Sequence, residues 1–91
     1  MLVKNCYGAT LRFRSAAQPW PVKIRSAAGA KTEDDVVREL TAVVAAGRYR
    51  LSGPMGAAVF DGRLVAGVDF DGPLTPEEAS RRTPILIVGE R

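Results

Sequence analysis

Histidine is absent from the 91 residues, and cysteine occurs once, at Cys6. Without an imidazole, one chain builds no Ser-His-Asp or Cys-His nucleophile system, no histidine-ligated zinc site and no neutral-pH histidine switch. The lone thiol closes no intrachain disulfide, so no covalent staple supports the core and a reducing compartment is the natural setting. No apolar run approaches the roughly 20 residues that a membrane span requires. Residues 1–14 interleave charged and apolar side chains where a signal peptide would carry an unbroken apolar stretch. The expected location is therefore the cytoplasm. Ser15, Ser26, Ser52 and Ser80 show no nucleophile elbow, and no general base stands out, so the chain is not expected to be an enzyme or to need a cofactor.

Acid is missing from the first third. Residues 1–32 hold six basic side chains and no acidic one, whereas residues 33–91 hold seven basic and ten acidic. The net charge of +3 thus hides an N-terminal concentration of cations. Ten of the thirteen basic residues are arginine, a bias that a GC-rich coding sequence would also produce.

What is present suits one small domain over residues 1–91. Hydrophobic residues make up 46% of the chain, enough for a folded core and too many for a disordered one. Val36, Val37, Leu40, Val43 and Val44 recur at helical spacing and predict a helix over about 33–46. Thr32 suits its N-cap, Glu33, Asp34 and Asp35 suit the positive end of its dipole, and Gly47 suits a left-handed stop. Thr75, Pro76 and Glu78 form a capping box for a short second helix over about 76–82.

Strands are expected where apolar and polar residues alternate, at Thr10–Arg14, Val22–Arg25 and Arg48–Leu51. Leu2–Lys4 is a further candidate strand. Asp61-Gly62, flanked by Ala57–Phe60 and Arg63–Phe70, reads as a two-residue hairpin turn pairing Phe60 with Arg63, Val59 with Leu64 and Ala57 with Ala66. On that pairing Ala57, Val59, Leu64, Ala66, Val68 and Phe70 share one face. The continuous apolar run Ile85–Val88 reads as a strand buried on both faces. The expected order is β-β-α-β-β-β-α-β, an α+β domain with a mixed or mostly antiparallel sheet packed on the long helix.

Parity places Arg12, Arg14, Lys23, Arg25, Arg48 and Arg50 on the polar side of strands whose other side packs inward. Six cations on one sheet face would suit phosphates or an acidic protein surface. Phe13 and Tyr49 fall on the opposite parity, which disfavours base stacking, and the 85–88 strand would add aliphatic side chains to the arginine face. The leading expectation is a non-catalytic binding module or inhibitor-type accessory protein, host or phage encoded, that meets an acidic macromolecular partner through this face. The alternatives are sequence-tolerant nucleic-acid binding, sequestering of a small anion at a subunit interface, and self-association through the strand 85–88. Gly53-Pro54-Met55-Gly56 is a candidate ligand loop, though it lacks a phosphate-cradle pattern and reads more simply as a connection. Asp69 and Asp71 could meet a hard cation, but Asp71-Gly72-Pro73 is an ordinary turn sequence and no metal site is assigned.

Overall fold

Apolar residues at helical spacing, with a cap at each end, produce the expected long helix. In the computed structural model, which describes residues 6–15, 18–54 and 56–89, helix α1 runs Glu33–Ala46. The Thr32 hydroxyl accepts from the Asp35 N–H at 3.2 Å, and Gly47, at φ 72°, donates its N–H to the carbonyls of Val43 and Val44. Val36 and Leu40 are buried and Val43 packs against them, whereas Val37 and Val44 lie at the exposed margin. The buried stripe is thus narrower than the apolar pattern, because residues 37 and 44 sit about 100° around the helix from 36 and 43.

Six strands surround this helix in sequence: β1 (Tyr7–Phe13), β2 (Trp20–Ser26), β3 (Arg48–Gly53), β4 (Gly56–Asp61), β5 (Val65–Pro73) and β6 (Ile85–Val88). They form one mixed sheet in the order β4-β3-β6-β2-β1-β5. The short helix α2 (Pro76–Arg81) precedes β6, and Thr75 caps it by accepting from the Glu78 N–H at 3.2 Å. The expected element order and the α+β class both hold. The candidate strand Leu2–Lys4 lies outside the described residues.

The pairing of β4 differs from expectation. Asp61-Gly62 makes no hairpin; β4 pairs with β3, β5 pairs with β1, and the two occupy opposite edges of the sheet. The antiparallel neighbour of β4 is instead β3, with Gly53 opposite Gly56. Asp61 caps a 3-10 turn at Gly62–Leu64 by accepting from the Arg63 N–H at 2.8 Å, and the Gly62 N–H donates to Gly47 O at 2.7 Å. A Cβ on Gly62 would lie 2.7 Å from that carbonyl oxygen, so the glycine serves a close approach to the end of α1 and not a left-handed turn. In consequence Val59 and Leu64 are exposed, while Val65 is buried and Val68 and Phe70 pack against the core.

One core lies between α1 and the sheet, built from Ala9, Leu11, Val22, Ile24, Tyr49, Leu51, Leu86 and Val88 with Val36 and Leu40 of the helix. The opposite face is partly covered. Leu74 is fully buried there, and a Cβ on Gly8 would lie 2.7 Å from its Cδ2 and 2.6 Å from Nη1 of Arg82. The missing side chain at Gly8 therefore lets the chain between β5 and β6 lie flat against β1.

Candidate functional site

Strand register decides which cations are neighbours. Ile87 of β6 stands opposite Arg50 on one side and Arg25 on the other, and Arg50 in turn stands opposite Val59 of β4. One row across the sheet therefore reads Val59, Arg50, Ile87, Arg25, on the face turned away from α1. The next row holds Ala57, Ser52, Ile85 and Lys23. Arg48 follows Arg50 by two residues on the same face, opposite Asp61. Lys23, Arg25, Arg48 and Arg50 thus form one cationic group over β2, β6 and β3.

The other two expected members are placed differently. Arg12 lies on the same face of β1 but is drawn aside, its Nε 2.8 Å from Asp69 and its guanidinium over Gly67, where a side chain would collide with it. Arg14 follows the end of β1; its N–H donates to Leu64 O at 3.1 Å, and it lines a hollow of about 260 Å³ with Phe13, Ser15, Arg63 and Leu64. The six-residue face is therefore a group of four, a neutralised fifth and a distant sixth.

Several acidic side chains near this group have partners of their own. Asp71 accepts from Nη1 of Arg82 and from the Thr10 hydroxyl, both at 2.7 Å, and Arg82 also reaches the carbonyls of Ala9 and Val22 at 3.3 Å. Asp69 and Asp71, the pair considered for a hard cation, are each engaged by an arginine. Among the described residues no three metal-ligating side chains come together. At the β4 edge Asp61 meets its own neighbour Arg63, whose hydrogen bonds hold the Asp61 carboxyl below its ordinary pKa and raise that of the guanidinium. Burial raises the Tyr49 phenol on the helix side of β3. The described residues place no carboxylate in salt-bridge contact with Lys23, Arg25 or Arg48.

The aliphatic contribution is smaller than the sequence suggested. Ile87 is only 7% exposed, so β6 offers a buried floor between two arginines and not a broad apolar strip. Both edges of β6 are occupied by β2 and β3, which leaves its face as the sole means of contact. At the Gly53 and Gly56 ends of the candidate ligand loop, no described residue beyond the chain neighbours lies within 4 Å of where a Cβ would stand.

A hollow of about 400 Å³ adjoins the cationic group where β6 stops. Its walls are Ala42, Val43 and Ala46 of α1, with Arg48, Arg50, Val59 and Ile87 of the sheet. Beside it, β3 and β6 are in register over Arg50, Leu51 and Ser52. Glu39, at its rim, is held by the Ser26 hydroxyl at 2.5 and 3.1 Å.

Sequence parity pointed to the four clustered cations but missed Arg82 and Asp71, which meet at 2.7 Å. Asp71 is an extra residue in the β1–β5 register, between Gly72 opposite Gly8 and Phe70 opposite Ala9, and such a bulge leaves no periodic signal. No helix among the described residues is long and apolar enough to cross a membrane. The chain matches no family model, no curated protein and no solved structure.

Proposed function

We propose that the protein is a non-catalytic binding module that meets an acidic macromolecular surface through Lys23, Arg25, Arg48 and Arg50. One observation carries this reading: Arg25 and Arg50 flank Ile87 in a single register row, with Lys23 and Arg48 on the same face. Two guanidiniums about 10 Å apart, set by two strand spacings, can each take a carboxylate bidentately, with the Ile87 floor excluding water between them. The absence of histidine and the pairing of Asp69 and Asp71 with arginines favour occupancy of a partner over chemistry on it.

The test compares the wild-type chain, the double variant Arg25→Ala/Arg50→Ala and Arg12→Ala for binding to a fluorescent polyglutamate peptide at low salt. We expect at least a tenfold loss for the double variant and less than twofold for Arg12→Ala. Equal binding by all three, or none by the wild type, overturns the assignment. A duplex DNA oligomer run in parallel addresses phosphate recognition, which would show log affinity falling with log salt by about 0.9 per phosphate contacted.

A further inference from the structure

The two edges of the sheet are built differently. Strand β5, at one edge, carries Asp69, Asp71 and Pro73 and has register breaks beside Gly8 and Arg12. Charges, proline and bulges are the means by which natural sheets keep an edge from pairing with another strand. Strand β4, at the other edge, has none of these over Gly56–Phe60. Its register with β3 runs unbroken from Asp61 opposite Arg48 to Gly56 opposite Gly53, and Ala57, Ala58 and Val59 are exposed, Val59 by 53%. No described residue pairs with its outer side.

We infer that β4 is a self-association edge, pairing antiparallel with β4 of a second copy about a two-fold axis. Three features select a second copy in this arrangement. The outer edge of a strand presents backbone N–H and C=O groups that another strand satisfies, and small residues at 56–58 allow two such strands to approach without steric conflict. Head-to-tail pairing of β4 with the β5 edge of another copy would meet Asp69, Asp71, Pro73 and the bulges, so the closed pair is favoured over an open filament.

Charge also permits it. Pairing centred near Val59 puts Asp61 of one copy opposite Ala57 of the other, so the two Asp61 residues lie about 14 Å apart along the seam. Each already has Arg63 as partner. The two Arg50 residues are separated by three strand spacings, about 14 Å, beyond the roughly 8 Å screening length at physiological salt. A six-residue edge buries less than a standard stable interface of about 1,600 Å², so the dimer is expected to be weak, dissociating in the micromolar range.

Antiparallel pairing keeps equivalent faces on the same side. The dimer would therefore carry a continuous twelve-stranded sheet with two Arg25–Ile87–Arg50 rows on one surface, suited to an extended or repetitive acidic partner.

Sedimentation equilibrium on the full chain from low to high micromolar concentration tests the inference. The expected result is a concentration-dependent shift from the 9.7 kDa chain mass to twice that value, undiminished by added salt. Ala57→Lys/Val59→Lys, which places cations on exposed edge positions, should stay at the monomer mass with an unchanged melting temperature. Ala66→Lys on the guarded edge should still dimerise. A wild-type chain that stays monomeric throughout, or a dimer that survives Ala57→Lys/Val59→Lys, overturns it. Loss of the dimer in Arg25→Ala/Arg50→Ala together with its survival in the β4 variant would place the contact on the face instead.

Discussion

Arg82 holds Asp71 at 2.7 Å from a side chain 14% exposed, and the same guanidinium reaches two main-chain carbonyls. Arg12 holds Asp69 at 2.8 Å, but both partners are about half exposed. Water screens the second pair more than the first, so equal geometry carries unequal weight. Removing Arg82 takes from Asp71 its ionic partner and leaves the Thr10 hydroxyl, and it removes the contacts to the carbonyls of Ala9 and Val22. Arg82→Ala should therefore cost about 2 kcal/mol of unfolding free energy, while Arg12→Ala costs under about 0.5 kcal/mol. Arg82→Lys should recover only part of the loss, because one ammonium cannot serve the carboxylate and both carbonyls in the planar fork that arginine provides. Urea denaturation of the three variants measures these differences directly, and similar losses for Arg82→Ala and Arg12→Ala would remove the distinction. Parity alone gave Arg12 and Arg82 no such ranking, since it reports the face a residue occupies and not what lies over it.

Among the elements, those defined by local chemistry were legible and those defined by long-range pairing were not. Helix α1 is bounded as the sequence indicated because Thr32 and Gly47 act within one turn of their own positions. Thr32→Ala should cost about 1 kcal/mol through the orphaned Asp35 N–H. Gly47→Ala should cost about 1 kcal/mol through the left-handed φ of 72°, since space around the position is open and backbone strain is the only penalty. Thermal melts followed by circular dichroism would show both, with helical content retained below the transition. The Asp61-Gly62 turn was misread for the opposite reason. Its two residues suit a hairpin, but they also suit a cap and a close approach to Gly47, and the choice lies with β1, whose residues pair with β5 residues much later in the chain, from Phe13 with Val65 to Tyr7 with Pro73. The β3–β4 register, running from Arg48 opposite Asp61 to Gly53 opposite Gly56, is a pairing that the alternation pattern did not show. Four of the six face cations were grouped correctly because alternation survives any choice of strand order; Arg14 was not, because β1 ends one residue before it.

At the scale of the whole molecule, β6 decides whether there is one sheet or two. It is the last strand in sequence, yet it stands between the β4-β3 hairpin and the β2-β1-β5 group. Without it these would face one another across about 10 Å, two strand spacings, with unpaired edges on both sides. Leu86 and Val88 fill the core beneath it, and Ile85 and Ile87 hold the opposite face between Lys23, Arg25 and Arg50. The cationic face therefore depends on the same strand as the core. A chain ending at Pro84 should fail to fold, lacking both the ladder and the apolar layer. Leu86→Ala should keep the fold but cost about 3 kcal/mol, a large share of the 5–15 kcal/mol typical of small domains. Its denaturant midpoint should fall with the slope unchanged, as expected when the core is weakened without exposing new surface in the folded state. Hydrogen exchange would refine the reading: β6 amides should be the slowest and exchange only through global unfolding, whereas exposed β4 amides should exchange faster at low concentration. If β6 amides exchanged as fast as those of β4, the sheet would not depend on its central strand, and the arrangement of Arg25 and Arg50 around Ile87 would lose its support.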